Sequence, residues 1–589
     1  MSEGSRGPLR VLVVGHGPVA ARLVEEILPV VRTGTVAVVV VGAEEEDPYN
    51  RVLVAEHAVG RADRARLEVA DTAAAEEAGV RVIRGDAVVA IDRARRTAAL
   101  NSGGEVAYDR LVLATGARAH VPPMDGLEAS RHARGDVPGH PDALDHGRRP
   151  LPTGVVALRD LRDARTVREA VRAGRRVIVL GAGVLGMELA LAAAERGADV
   201  VAVHHGDVPM ARNLDRGGGR TLSHAADAAG VAMAAHARAE GVLLHDRGTG
   251  DERFQALLLA DGGRIDGDLL VLSCGVTARD ELASAAGLAV GRGVLVDGDL
   301  RSWTDPDVFA IGDCAHVAVP GSARPDGQVP GGPSGLIGPG WRQADALAAL
   351  LAAEASAPGG RAAAGSRGTA TAIVTGGDAG RPPVVMLKAE GVDVVAGGDV
   401  TAEPWDDPPR RRRRPGRAHT ADCAADATGA ADATGTGTGA GAAGAAADPG
   451  PAPREVAVWT DPARGAYVKT VTRDGVLVGF VAVGMPRAGA ELTLLFERGG
   501  ELPADRSVLL RLDAADAGAL PTGDPLAPDA TVCWCNGVTA GTIAQAAADG
   551  ATTVEGIGAC TRAGTGCGTC RGRIQEVLAS AGGRAAALL

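Results

Sequence analysis

The sequence predicts an α/β chain with two parallel-sheet units, a smaller α+β unit and a small helical unit at its C-terminal end. Three observations carry that prediction. An apolar, β-branched run leads into a Gly-rich turn and a helix at Gly15-His-Gly-Pro-Val-Ala20. The same order recurs at Gly181-Ala-Gly-Val-Leu-Gly186. Five of the eight cysteines fall between Cys533 and Cys570. At roughly 150 residues per domain, 589 residues give room for about four domains with sizeable cores.

Composition removes several function classes. Hydrophobic residues are 46% and charged residues 23%, as in globular proteins. The formal net charge of −12 leaves no overall basic surface for a phosphate backbone, and 2% aromatics leave no stacking platform for single strands. The only lysines, Lys388 and Lys469, sit in no Gly-rich phosphate loop, which excludes a P-loop nucleotidase. The start, Met-Ser-Glu-Gly-Ser-Arg-Gly, lacks the apolar core of a signal peptide, and the apolar run Val36–Val41 is too short to cross a bilayer. A cytoplasmic chain with neither nucleic acid nor membrane as partner is expected. In that reducing compartment, clustered cysteines point to metal rather than disulfides.

In order along the chain, Arg10–Val14 reads as a buried strand, Ala21–Val31 as a helix and Thr35–Val41 as the next strand. Arg176–Leu180, Met187–Arg196 and Asp199–Val203 repeat the pattern. Residues 131–150 read as a polar surface insertion. Residues 402–453 read as a low-complexity linker that opens on the solvated run Arg410–Arg414. Tyr467–Val471, Val476–Val483 and Ser507–Leu512 read as short strands. In the last unit, Thr542–Ala548 and Arg573–Ser580 read as helices, and Thr552-x-x-Glu555 as a capping box that starts another.

The first turn has the parts a dinucleotide needs. Gly15 permits the tight turn, Gly17 lets the backbone approach a pyrophosphate, and Ala20 allows close helix–strand packing. Glu44 is placed to accept hydrogen bonds from an adenosine ribose. In the second turn Gly181, Gly183 and Gly186 repeat this logic. The position that would hold the ribose acid is occupied by Val203-His204-His205, which favours neither NADH nor NADPH. The late cysteines are spaced Cys533-x-Cys535 and Cys567-x-x-Cys570. Four thiolates so arranged hold either a [2Fe–2S] cluster or a zinc ion, and the C-x-C half argues against zinc. Cys560 falls outside the ligand pattern and reads as structural; Cys274 reads as a packing thiol.

Leu111-Val-Leu-Ala-Thr-Gly116 and Asp307-Val-Phe-Ala-Ile-Gly-Asp313, together with the first turn, resemble the FAD-binding pattern of two-dinucleotide flavoprotein reductases. That resemblance implies two Rossmann-like domains. The FAD domain is discontinuous (9–120 and 296–360) and the NAD(P)H domain (152–295) is inserted in it. It also implies that Thr115, Gly116 and Asp313 contact FAD, that Glu188 lies near the nicotinamide carboxamide, and that Gly275 belongs to the second crossing between the domains. Arg51 has two readings, against the isoalloxazine or in a surface ion pair; Trp341 lies by the flavin or in the core.

Pro48-Tyr-Asn-Arg51, Gly275–Asp280, Gly391–Val394 and the cysteine pattern extend the likeness. They resemble the large subunit of assimilatory NAD(P)H-nitrite reductase and, equally, the electron-transfer subunit of assimilatory nitrate reductase. The end resembles the bacterioferritin-associated-ferredoxin type of [2Fe–2S] domain. A small α+β reductase domain (370–512) and a cluster domain (529–582) complete the expected organisation. The resemblance implies hydride transfer from NAD(P)H to FAD, with Arg51 and Glu188 at the reacting end. Single electrons would then leave through Cys533, Cys535, Cys567 and Cys570 to a nitrate reductase catalytic subunit. A split nitrite reductase with a sirohaem partner is the first alternative, and a redox or iron-mobilising module the second. Nitrite chemistry in such a reductase implies sirohaem and a [4Fe–4S] cluster on four further cysteines; the nineteen residues after Cys570 hold none, and Cys274, Cys314 and Cys423 are too few, so this chain is expected to act as an electron-input half. The chain has no C-x-x-x-x-C pair, so a glutathione-reductase type of disulfide chemistry is not expected.

Overall fold

Each Gly-rich turn follows the central strand of a five-stranded parallel sheet. A computed structural model describes residues 7–127, 151–246, 252–357, 384–406, 453–513 except 504, and 527–586 except 529, 534, 535, 566, 567 and 569. The insertion expected at 131–150 and most of the linker expected at 402–453 lie outside these residues.

In the first sheet, Leu9–Val14 is central. Val36–Val41 and Arg81–Ile83 follow on one side, and Arg110–Leu113 and Val308–Ala310 on the other, all parallel. The second sheet repeats the plan around Val177–Leu180, with Val200–Val203 and Val231–Ala234 on one side and Leu269–Leu272 and Val155–Ala157 on the other. Both central strands are buried along their apolar lengths because each parallel sheet is covered by helices and by a three-stranded antiparallel sheet, Val88–Asp92, Thr97–Leu100 and Glu105–Ala107 in the first unit and Ala239–Asp246, Glu252–Leu259 and Arg264–Asp266 in the second. The chain passes between the units at Ala117–Ala119 and returns at Val276–Ala278, and these two crossings pair as an antiparallel ribbon. The second sheet is thus inserted in the chain of the first.

A third sheet is antiparallel. Its order is Val385–Ala389, Val392–Gly398, Val476–Val483, Ala466–Arg473, Arg454–Asp461, with helix Pro486–Arg498 packed on it. It rests against the second unit through Lys469, which is fully buried. The Lys469 Nζ lies 3.1 Å from Asp215 Oδ2, and the Tyr467 hydroxyl donates to the same oxygen at 2.5 Å. Asp215 also caps helix Arg216–Ala228 by accepting from the Gly218 amide. The last unit is a short hairpin, Thr531–Cys533 with Val538–Thr539, and helices Ala540–Ala548, Val554–Thr561 and Arg571–Ala586.

Two local expectations are corrected. Ser507–Leu512 is not a strand: Ser507–Arg511 is helical. Asp505 accepts from the Ser507 amide at 3.0 Å and starts the turn, and Leu509 and Leu512, three apart, face the core while Ser507 and Arg511 face water. The cap of the next-to-last helix is Thr553, not Thr552. Its hydroxyl accepts from the Gly556 amide at 3.0 Å, and Glu555, freed from any capping box, pairs with Arg571. Both fingerprint helices also begin earlier than expected, at Pro18 and Val184, directly after Gly17 and Gly183.

Candidate functional site

The site starts from the first turn. Gly15 has φ +113°, and a Cβ there would run into the Ala114 carbonyl of the neighbouring strand, so only glycine fits. Gly17 is the N-cap of helix Pro18–Arg32 with no side chain to cover the first-turn amides. Those amides point into the turn with the positive end of the helix behind them. Ala20 is buried against the sheet. His16, between the glycines, is held neutral by burial; its Nδ1 is enclosed and finds no partner among the described residues. An orphaned donor–acceptor and a bare helix N-terminus in one turn suit a hydrogen-bonding, anionic ligand such as the diphosphate of FAD.

Other segments converge on the same space, a cavity of about 4100 Å³. Glu44, expected to receive ribose hydroxyls, is held by Arg51 through a short ion pair and accepts from the Tyr49 hydroxyl at 2.9 Å. The Arg51 guanidinium lies 4.7 Å from the Tyr49 ring centroid and lines the cavity, so the ion-pair reading of Arg51 is the one seen, within the cavity wall. Thr115 donates to the Arg279 carbonyl at 2.7 Å, and Gly116 (φ +71°) accepts from the Arg279 amide at 2.9 Å. Asp313 receives a hydrogen bond from Arg159 at 2.9 Å. Trp341, on helix Ile337–Ser356, is 7% exposed and also lines the cavity.

Arg159 and Arg279 were not singled out from the sequence. Arg279 falls within the Gly275–Asp280 stretch, but nothing there marks its side chain, and Arg159 follows strand Val155–Ala157 outside any motif; both reach the cavity wall only in the folded chain. Burial lowers the Arg279 guanidinium to about 10, a strained cation that an anionic ligand would relieve.

The second turn repeats the first. Gly181 has φ +111°, and Cβ atoms at Gly181 and Gly186 would meet the Ser273 and Gly181 carbonyls. Gly183 caps helix Val184–Glu195. Of this helix, Val184, Leu185 and the buried Glu188 reach the shared cavity wall, while Gly181, Gly183, Gly186, His204 and Gly275 lie off it. His204 ends its strand buried and neutral, with Nε2 unpartnered among the described residues. Gly275 (φ +93°) accepts from the His120 amide where the two crossing segments meet. The side-chain-free N-cap Gly183 and the unpartnered His204 Nε2 suit a second hydrogen-bonding, anionic ligand.

Cys533 and Cys570 are 1% and 7% exposed and sit together on the wall of the same cavity. Contact with Cys570 pulls the Cys533 thiol down to about 6, and Asn536 Nδ2 lies 3.8 Å from Cys533 Sγ. A buried thiol poised to ionise beside a second cysteine and an N–H donor suits iron–sulfur ligation. Cys535 and Cys567 lie outside the described residues. Cys560, expected to be structural, is instead exposed beside a shallow surface groove. Cys274 is half-buried, donates to the Leu180 carbonyl at 3.4 Å and is pushed up to about 11 by burial, as a packing thiol would be.

Residues 9–331 match the pyridine nucleotide-disulphide oxidoreductase family, and residues 531–580 match the BFD-like [2Fe–2S] binding domain. The chain belongs to the pyridine nucleotide-disulphide oxidoreductase family. It is 25% identical to the nitrite reductase [NAD(P)H] of Bacillus subtilis over 97% of its own length and 58% of the relative's. It is 23% identical to the assimilatory nitrate reductase electron transfer subunit of the same organism, over 97% of its length and 59% of the relative's. The chain therefore spans under two thirds of these relatives. The covalent putidaredoxin reductase–putidaredoxin complex shares the fold, with a TM-score of 0.59 and 19% identity over 86% of this chain and 96% of that one. This oxidoreductase is NAD(P)H-dependent and takes FAD, NAD(P)H and a [2Fe–2S] cluster. Among its described residues no helix is long and apolar enough to cross a membrane.

Proposed function

We propose that this oxidoreductase is the electron-input component of a cytoplasmic nitrate-assimilating system, handing single electrons to a nitrate reductase catalytic subunit. When bound, FAD accepts an electron pair as hydride from the nicotinamide, and the cluster passes electrons on one at a time.

The chain's own residues orient and tune. Gly15, Gly17, Ala20 and the bare helix N-terminus hold the FAD diphosphate, with His16 Nδ1 as a further hydrogen-bond partner. Thr115, Gly116 and Asp313 shape the wall along the flavin, and Asp313 fixes Arg159. Arg51, paired with Glu44 and Tyr49, belongs to the adenosine-ribose end of the cavity rather than the reacting end, and Glu44 retains acceptor capacity for that ribose. Gly181, Gly183 and Gly186 cradle the nicotinamide dinucleotide, Gly275 keeps the crossing tight, and His204 meets the adenosine ribose. Glu188 accepts from the carboxamide and sets which face of the ring is offered. Cys533, Cys535, Cys567 and Cys570 hold the cluster, and Asn536 tunes it.

The single observation that carries this reading is that Cys533 and Cys570 share one cavity with Gly15, Thr115 and Glu188. A second reading, the donor half of a nitrite reductase with a sirohaem partner, is favoured by the identity of 25% to a nitrite reductase against 23% to the electron transfer subunit over the same share of this chain. The test is reconstitution. The NADH- or NADPH-reduced holoprotein is mixed with a molybdopterin-type nitrate reductase subunit or with a sirohaem subunit encoded beside it. Nitrate consumption is expected; nitrite consumption alone selects the second reading, and neither removes both.

A further inference from the structure

The cluster unit does not only share a cavity with the first sheet; it is tied to it by charge. Arg562 follows helix Val554–Thr561 in the left-handed region (φ +63°), an uncommon conformation for a non-glycine residue. Its guanidinium forks between two carboxylates of helix Pro18–Arg32, with Nη1 3.1 Å from Glu25 Oε2 and Nη2 2.7 Å from Glu26 Oε1. That helix is the one whose N-terminus faces the FAD diphosphate. Its carboxylate side is anchored in turn: Arg22 lies 3.5 Å from Glu26 and pairs with Asp345 of helix Ile337–Ser356 at 2.5 Å.

The backbone of Arg562 reaches the other way, to the cysteines. The Asn536 amide donates to the Arg562 carbonyl at 2.7 Å and also approaches Cys533 Sγ, and the Gly564 amide bonds the same sulfur. One turn, 562–565, therefore carries both the tie to the flavin unit and donors to a cluster ligand. Nothing in the nicotinamide chemistry requires an arginine there.

We propose that Arg562 is a positioning residue for flavin-to-cluster electron transfer: its ion pairs with Glu25 and Glu26 dock the cluster unit so that Cys533 and Cys570 face the flavin cavity. The inference rests on the electron-input reading. All three side chains are about one-third exposed, so the tie is screened by salt. In the step concerned, one electron leaves reduced flavin and one ferric site of the cluster becomes ferrous, with NAD(P)H as the source. No bond to the protein forms or breaks.

The test uses the holoprotein. Flavin bleaching and cluster reduction after mixing with NADH or NADPH are followed separately by stopped flow, and the separation of the units by small-angle scattering. Glu25→Gln/Glu26→Gln removes the acceptors without touching the cysteine turn, and Arg562→Glu removes the donor. Both are expected to leave flavin bleaching within about twofold of wild type, slow cluster reduction about tenfold and enlarge the scattering radius. Raising the ionic strength is expected to do the same to the wild type. Arg562→Glu combined with Glu26→Arg is expected to restore both readouts. Cluster reduction at the wild-type rate in the variants, or a slowed rate with unchanged scattering, overturns the docking role. Failure of the underlying reading shows instead in the wild type, as a cluster that NAD(P)H never reduces.

Discussion

Cys533 carries the most at the scale of single residues. It is buried, touches Cys570 and receives N–H donors from Asn536 and Gly564. Cys533→Ser is expected to lose iron and acid-labile sulfide, because four thiolates are needed, while FAD stays and NAD(P)H-to-dye turnover holds within about twofold. Retained iron, or FAD lost together with iron, contradicts the assignment. For Glu188→Gln, loss of a charge-assisted hydrogen bond of roughly 1.5–3 kcal/mol is expected to raise the nucleotide KM about tenfold or more and leave FAD content unchanged. An unchanged KM removes Glu188 from the nicotinamide site. His204 gives a pH signature. Burial depresses its folded-state pKa below the ordinary 6.5, so between those values the unfolded chain binds the proton that the folded chain refuses. Stability contributed by the neutral ring is present above 6.5 and is lost as pH falls through 6.5 toward the depressed value. In nucleotide-free protein, the thermal midpoint of wild type should therefore drop more steeply from pH 7.5 to 5.5 than that of His204→Gln; parallel curves refute this.

At the scale of elements, local chemistry sets what was legible in the sequence. The fingerprint turns were readable because a Gly with φ near +110° packed under a neighbouring carbonyl admits no substitute. Ser507–Leu512 misled because a short apolar run carries no period of its own; Asp505 and the Leu509/Leu512 spacing decided for helix. Thr552 and Thr553 are both competent caps, and only the geometry of the Gly556 amide chooses between them. The Asp215–Tyr467–Lys469 contact could not be read at all, since its members lie some 250 residues apart. It joins the cap of helix Arg216–Ala228 to the antiparallel sheet. Lys469→Met leaves the buried Asp215 carboxylate without its cation and is expected to cost about 3–5 kcal/mol in unfolding of that pair of units. A loss under about 1 kcal/mol would show that the Tyr467 hydroxyl suffices.

At the scale of the whole molecule, two repeated sheets, one antiparallel domain and one small cluster unit bring Gly15, Thr115, Glu188, Cys533 and Cys570 to a single cavity. The kinds of unit were legible because each carries a signal within about thirty residues. Their mutual placement was not: the Arg159–Asp313 and Arg562–Glu25/Glu26 contacts depend on how the units dock, and no local pattern encodes that. The same docking makes the account testable in one step. Purified protein titrated without oxygen by NADH and by NADPH should show flavin bleaching followed by a reduced [2Fe–2S] paramagnetic signal, at up to one electron per cluster. A colourless protein with zinc at the late cysteines, or a bleached flavin beside a cluster that stays oxidised, would contradict it.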